Sequence, residues 1–304
     1  MTEYVYMNGE YIEKEKATLP VMTHAFLYGT SIFEGVRAYY NEEEKQLYAF
    51  RVPEHFERLK KSAKIMHMKP TNTTEEYCAI TKKLLQMNNY HQNTYIRPTH
   101  YMAAERVGTS FLNNKDAFLI FTVTMDDYID TTKGLKVCVS NWRRTSDNAI
   151  PPRAKVGGAY ANCALISTDA RLAGFDDAIS LSEDGKVSEG SAMNLFLVMD
   201  GKLVTTQSTN NILQGITRDT IITLAKDLGI EVEVRVIDRT ELYLADEAFF
   251  CGTGAQVSPI TNIDHRDLGD GKVGPISAKI QKLYFDIVCG RVPEYKKWCM
   301  PIYD

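Results

Sequence analysis

The 304-residue chain has no apolar run near the roughly 20 residues that span a bilayer; its longest, residues 118–123, excludes a transmembrane helix. It also lacks an excess of positive charge. Its 35 lysines and arginines face 39 aspartates and glutamates, a formal charge of −4, whereas a general nucleic-acid binder needs a basic surface to displace counterions from phosphates. The six cysteines, at 78, 138, 163, 251, 289 and 299, form no C-x-x-C pair. The six histidines, at 24, 55, 67, 91, 100 and 265, form neither H-E-x-x-H nor a tight cluster with cysteine. Neither a disulfide frame nor a metal site is therefore expected. No G-x-G-x-x-G follows a strand-like run and no G-x-x-x-x-G-K-[ST] occurs, which weakens nicotinamide and nucleoside-triphosphate readings. Low-complexity segments and long repeats are absent as well. The opening Met1-Thr-Glu-Tyr-Val-Tyr lacks the basic patch and apolar run of a signal peptide, so a cytoplasmic location is expected.

What remains is 44% hydrophobic, 10% aromatic and 24% charged, the balance of a folded, enzyme-like chain. Its length predicts two domains or one large α/β domain. Asn8-Gly9 supplies a turn for a hairpin over residues 4–12, and the charged Asn41-Glu-Glu-Glu-Lys45 turn brackets another. Phe56, Leu59, Ala63 and Met66 recur at helical spacing after Pro53. Thr73 and Glu76 form a capping box for a second helix, and strand-like runs follow at 94–101 and 117–125. The polar stretch 127–134 reads as a linker between a small domain, 1–126, and a larger one, 135–304.

The second half opens with a strand at 135–141 and a long irregular loop at 143–158. A helix over 159–173 then stops at Gly174. Asp184-Gly185 and Asp200-Gly201 read as hairpin turns, and 217–228 as an amphipathic helix ending at Gly229. A strand at 231–236, a second capping box at Asp238 and Glu241, a buried strand at 248–251 and a helix over 275–289 complete the pattern. Without a regular βαβ rhythm, a mixed α+β architecture is preferred over a doubly wound parallel sheet.

Gly215-Ile-Thr-Arg-Asp219 stands before the amphipathic helix, so the Ile216 and Thr217 amides and the Thr217 hydroxyl could meet a phosphate. The plainer reading is that Thr217 only caps that helix. Gly252-Thr253-Gly254 puts a hydroxyl and flexible backbone at a strand end, either a ligand contact or an ordinary turn. Lys155, beside Gly157-Gly158, has a type of side chain that forms Schiff bases when its pKa falls, although lysines of this kind are usually solvated. Glu189, ending a short strand, reads by itself as a turn carboxylate rather than a catalytic one.

Taken together, these residues resemble the branched-chain aminotransferases, pyridoxal-phosphate enzymes of fold type IV. Seven blocks in order carry the resemblance over nearly the whole chain. The first three are His24-Ala-Phe-Leu-Tyr-Gly-Thr-Ser-Ile-Phe-Glu-Gly-Val-Arg37, Glu54-His-Phe-Glu-Arg-Leu59 and Tyr95-Ile-Arg-Pro98. Ala154-Lys-Val-Gly-Gly-Ala-Tyr160, Ser188-Glu-Gly190 with Asn194-Leu-Phe196, Gly215-Ile-Thr-Arg-Asp219, and Leu242-Tyr-Leu-Ala-Asp-Glu247 with Gly252-Thr253 complete it.

The resemblance implies a small N-terminal α/β domain, a larger C-terminal domain round a barrel-like sheet, and pyridoxal 5'-phosphate between them. Lys155 would hold the cofactor as a Schiff base and shuttle a proton, and Glu189 would pair with the pyridine nitrogen. Arg58, Ile216, Thr217 and Thr253 would hold the phosphate, with Tyr160 near the phenolic oxygen. Tyr28, Phe33, Gly35, Arg37 and Met125 would shape the substrate pocket. Tyr95 with the Thr253 and Gly254 amides would take the α-carboxylate, and Arg97 a distal one. The implied reaction exchanges an amino group between leucine, isoleucine or valine and 2-oxoglutarate, in a homodimer or larger homo-oligomer, with a loop around Val107 reaching the partner's pocket.

The chemistry agrees with these roles, because a protonated pyridinium facing a carboxylate accepts the electrons released when Cα loses its proton. Three positions depart from many relatives: Met193 for glutamate, Met125 for tryptophan and Ala159 for asparagine, which leaves side-chain preference open. The nearest alternative is another fold type IV enzyme, a D-amino-acid or (R)-amine transaminase or an aminodeoxychorismate lyase. The Tyr95-x-Arg97 pair favours the branched-chain reading. A non-catalytic phosphate-ligand binding protein is the alternative from another class.

Overall fold

The computed structural model describes residues 2–125 and 133–304, so all but the last two residues of the expected linker at 127–134 lie outside the described residues. The chain divides into two compact units, and the division is not linear. The first unit is Met1–Asp126, Ala154–Gly158 and Asp286–Asp304; the second is Asp127–Arg153 and Ala159–Phe285.

In the first unit, β1 (Tyr4–Met7), β2 (Glu10–Glu13), β3 (Ser31–Phe33), β4 (Val36–Asn41), β5 (Gln46–Phe50), β6 (Thr94–Met102) and β7 (Asp116–Thr124) share a sheet with Cys299–Pro301. The order is Cys299–Pro301, β5, β4, β6, β7, β1, β2, with β3 also on β6 and every pairing antiparallel. The hairpin turn between β1 and β2 places Asn8 and Gly9 at positive φ, as those residue types allow. The short helix α1 (His24–Tyr28) precedes β3, and α2 (Val52–Ile65) and α3 (Thr74–Asn88) lie between β5 and β6. The Thr73 and Glu76 capping box forms at the start of α3. Phe56 of α2 stacks on Tyr77 of α3 at 4.8 Å, and Tyr77 meets Phe118 of β7 at 4.7 Å, so aromatic rings join both helices to the sheet.

Hydrogen bonds explain why two distant segments join this unit. Phe33 N donates to Lys155 O at 3.0 Å, Lys155 N donates to Ser62 Oγ at 3.1 Å, and Ile32 bridges Val156. At the C-terminus, Cys299–Pro301 extends the sheet along β5. Pairing across the chain thus overrides order along it, which a linear reading of domains at 1–126 and 135–304 does not capture.

One contact demands glycine. Gly29 has φ +67°, Gly158 N donates to Gly29 O at 3.0 Å, and a Cβ on Gly29 would sit 2.8 Å from Gly158 Cα. Gly29→Ala is therefore expected to cost about 1–3 kcal/mol through left-handed strain and backbone overlap. Urea unfolding of the variant checks this, and an unchanged midpoint would contradict the close approach.

The second unit holds β8 (Leu135–Arg143), β9 (Asp177–Leu181), β10 (Val187–Gly190), β11 (Asn194–Met199), β12 (Lys202–Thr206), β13 (Val232–Arg235), β14 (Glu247–Gly252), β15 (Gln256–Ile263) and β16 (Arg266–Asp267). Their order is β10-β9-β8-β15-β14-β11-β12-β13, with β16 on β15. Parallel pairing occurs at β8 with β9, β8 with β15 and β12 with β13. Two helices make the crossovers that parallel pairs require: α4 (Tyr160–Leu172) before β9 and α5 (Ile216–Asp227) before β13. A further helix, α6 (Pro275–Val288), begins in this unit. The strands β9, β10 and β11 are buried almost throughout, and Phe196 stacks on Phe249 at 5.1 Å across β11 and β14.

The whole is 30% helical and 32% strand with a curled half-barrel sheet, so the mixed architecture expected from the sequence is the one found. Residues 239–243, expected to follow a capping box, do so as a 3-10 turn. Among the described residues, no helix is long and apolar enough to cross a membrane.

Candidate active site

Each unit gathers its own group of the residues singled out in the sequence. In the first, strand alternation puts Tyr95 and Arg97 of β6 on one face. Arg37 of β4 lies opposite Tyr95 in register, and Phe33 of β3 opposite Thr99. Arg97 Nε donates to the Tyr95 hydroxyl at 2.8 Å while its guanidinium carbon lies 4.2 Å from the centre of the Phe33 ring. The same ring has Lys155 Nζ 4.9 Å from its centre. Gly35 is tight against this cluster, since a Cβ there would fall 2.6 Å from the Tyr95 hydroxyl. Arg37 is buried and its Nη2 donates to Met125 O at 3.1 Å. Tyr28 stands at the end of α1, where its hydroxyl accepts from Gly108 N at 2.9 Å.

Arg58 has a partner that the sequence reading missed. The Glu34 carboxylate, fully buried, accepts from Arg58 Nε at 2.8 Å and Nη2 at 2.7 Å, and from His55 Nδ1 at 2.7 Å. Burial alone would push the Glu34 pKa up, but the charge and hydrogen bonds of Arg58, then those of His55, hold it at about 2. His55 moves the other way: burial pushes its pKa down, so the imidazole is neutral and its Nδ1–H donates. His55, Arg58 and Ser62 share one face of α2, being three and seven residues apart. The same helix face therefore carries the Glu34 partners and the hydroxyl that takes Lys155 N.

A pH dependence follows from these buried imidazoles. The pKa of His55 and that of His100 are lowered by burial. Below an unfolded value near 6.5 the unfolded chain binds protons that the folded chain refuses. Stability is expected to fall as pH drops from 7 to 5, by at most about 1.4 kcal/mol per pH unit for each imidazole. Glu34 acts in a separate window: its contribution, complete above an unfolded pKa of roughly 4.5, is lost as pH falls towards about 2. Denaturant midpoints across this range check the sign, and a flat profile between pH 7 and 5 would contradict it.

In the second unit, Glu189 of β10 is buried, and three groups hold its carboxylate. Arg144 Nε donates to Oε1 at 2.9 Å, Leu213 N to the same oxygen at 3.3 Å, and Asn194 Nδ2 to Oε2 at 2.8 Å. Arg144 also reaches Cys163 Sγ at 3.3 Å, one turn along α4 from Tyr160. Sequence reasoning gives neither Arg144 nor Asn194 a role. Arg144 lies at the start of an irregular loop without periodic signal, whereas Asn194 stands inside a quoted block.

Asn194 also ties the carboxylate to the start of α5. A Cβ on Gly215 would fall 2.0 Å from Asn194 Oδ1, so a larger residue there would displace the Asn194 amide from Glu189. Gly215 is the N-cap, extended, and has no side chain with which to cap the helix. Thr217 is thus not the cap; it lies in the first turn with Ile216, buried, at the positive end of twelve residues of helix. Thr253 and Gly254 follow the end of β14, whose Cys251 is the register partner of Asn194. A Cβ at Gly254 would meet nothing within 4 Å.

These features fit pyridoxal 5'-phosphate. A buried carboxylate ion-paired with a guanidinium suits a protonated ring nitrogen, and a helix start with glycine at its N-cap suits a phosphate.

Comparison with known proteins agrees. The family profile described as amino-transferase class IV matches residues 31–263, a span that includes Glu34, Arg58, Lys155, Glu189, Thr217 and Thr253. The chain belongs to the class IV aminotransferases. A probable branched-chain-amino-acid aminotransferase of Aquifex aeolicus is 43% identical to this aminotransferase over 303 residues, covering 99% of this chain and 97% of that protein. The crystal structure of a branched-chain aminotransferase from Thermoproteus uzoniensis with norvaline is similar at a TM-score of 0.95 and 38% identity, each chain covered fully. The branched-chain amino acid aminotransferase from Thermobaculum terrenum, solved in its PLP-bound holo-form, gives a TM-score of 0.95 at 36% identity, covering 100% of this chain and 99% of that one.

Proposed function

We propose that this aminotransferase is a pyridoxal 5'-phosphate enzyme exchanging the amino group of branched-chain L-amino acids with 2-oxoglutarate. The observation that carries the reading is the buried Glu189 carboxylate, fixed by Arg144 and Asn194 beside the glycine-led start of α5. The relatives support the substrate class, since they are named for branched-chain amino acids over essentially their whole length.

When bound, the cofactor supplies an electron sink for the pair left at Cα. The protein does the rest. Lys155 would hold the cofactor through its amine and would serve as the base that moves the Cα proton. Glu189 keeps the ring nitrogen protonated. Arg58, Thr253, and the Ile216 and Thr217 backbone would anchor the phosphate, with Tyr160 near the phenolic oxygen. Tyr95 donates to the α-carboxylate together with the Thr253 and Gly254 amides. The Tyr95 hydroxyl accepts from Arg97 Nε, which fixes its place on β6. Phe33, Tyr28 and Met125, with Gly35 leaving room beside them, give the apolar walls, and Arg37 braces Met125. Arg97 meets the distal carboxylate of glutamate.

The reading includes a homodimer in the cytoplasm. Val21, Phe26, Val107 and Leu112 are exposed on two stretches joined by the Thr23–Glu105 bridge and the Gly108 to Tyr28 hydrogen bond, an apolar surface suited to a second copy. Unbridged cysteines accord with a reducing compartment. Sedimentation of purified protein as a monomer would remove the dimer. The function itself is tested by 2-oxoglutarate-dependent turnover of L-leucine, D-alanine and an (R)-amine. L-leucine is expected to lead, and turnover of the other two without it would reject the reading.

A further inference from the structure

The Glu34–Arg58–His55 cluster poses a charge problem. A guanidinium meant to meet a phosphate has an evident use for its positive charge, yet Arg58 is already neutralised by a carboxylate with no solvent exposure. The pairing is not casual. Glu34 takes the Nε and Nη2 edge in two parallel hydrogen bonds, the geometry in which arginine binds a carboxylate best. His55 adds a neutral donor to the same carboxylate. The backbone on either side is pinned as well, with Glu34 N donating to Pro98 O and Phe33 N to Lys155 O. The backbone that carries the carboxylate is thus fixed to β6 and to the Lys155 segment.

We propose that Glu34 is the built-in counter-ion of the phosphate seat: it keeps the empty seat electrically neutral and fixes the plane of Arg58, so the seat stands assembled before any phosphate arrives. The inference rests on Arg58 being a phosphate ligand, as proposed above. Its physical basis is the cost of an uncompensated buried charge, which exceeds the gain a well-made ion pair brings. A seat whose guanidinium is already paired offers simple anions less positive charge to collect on.

The test uses the full-length apoprotein, freed of cofactor, and reads its melting temperature with no addition, with inorganic sulfate, with pyridoxal and with pyridoxal 5'-phosphate. Glu34→Gln preserves shape and removes the charge. Its apoprotein is expected to melt on the order of 10 °C below wild type. Sulfate should restore most of that loss while shifting wild type little, and pyridoxal, which has no phosphate, should restore none. Glu34→Asp, which keeps the charge, should melt closer to wild type than Glu34→Gln does.

Equal melting of wild type and Glu34→Gln, or a sulfate response no larger in the variant, would overturn the proposal. Should Glu34→Gln fail to fold, the double variant Glu34→Gln, Arg58→Met removes both charges. Folding of that protein without a sulfate response supports the counter-ion role, and its failure to fold assigns Glu34 to packing and overturns it. Wild-type protein that takes up no pyridoxal 5'-phosphate would sink the functional reading instead, a result separate from every outcome above.

Discussion

Lys155→Ala is expected to lower leucine exchange by on the order of 10³-fold or more, because it removes both the amine that holds the cofactor and the group that moves the Cα proton. The fold should hardly notice. What binds this segment to the first unit is backbone: Lys155 N to Ser62 Oγ, Lys155 O from Phe33 N, and the Ile32–Val156 bridge. The side chain contributes its position over the Phe33 ring, with Nζ 4.9 Å from the centre. Phe33 is buried, and a cation over such a ring is worth about 1–2 kcal/mol, less than the expected loss of rate corresponds to. The apoprotein of the variant should therefore unfold near the wild-type midpoint. Borohydride should fix cofactor to residue 155 in wild type and leave the variant unlabelled. Near-normal turnover by the variant would refute the assigned role, whereas loss of turnover together with a collapsed midpoint would point to structure instead.

How much of this is legible in the sequence differs between local and distant features. The Asn8-Gly9 turn and the Thr73–Glu76 capping box are complete within a few residues, and both form as the residue types dictate. Helix α1 escapes a sequence reading, because five residues are too few for helical spacing to show and the Thr23 hydroxyl is spent on Pro20 O rather than on a cap. The assignment of Ala154–Gly158 to the first unit is equally hidden, since it depends on partners about 90 or more residues away. Among candidate site residues, the motif blocks carry Lys155, Glu189 and the start of α5. Their supports are less visible. Glu34 stands inside a quoted block between Phe33 and Gly35, and a carboxylate in that apolar run is the available signal. Arg144 has none, for it meets Glu189 across 45 residues from within an irregular stretch.

Glu189→Gln should reduce exchange by about 10²–10³-fold, the usual cost of losing one charged group aimed at developing charge. It should also weaken the fold, for a reason independent of catalysis. Arg144 and Glu189 have side chains 9% and 3% exposed, so removing the carboxylate charge strands a guanidinium where water cannot reach it. Breaking one side of such a pair costs about 3–5 kcal/mol, whereas replacing both sides with apolar groups is often nearly neutral. If the new amide oxygen still accepts from Asn194, its NH2 faces the Arg144 and Leu213 donors, so an acceptor is lost along with the charge. Adding Arg144→Met to Glu189→Gln should therefore recover stability without recovering exchange. A double-mutant cycle read by urea unfolding and by leucine turnover separates the two effects. Recovery of both in the double variant would show that Glu189 serves the fold alone, and recovery of neither would show that Arg144 has a further duty in the second unit, one that its bond to Cys163 Sγ would be the first place to seek.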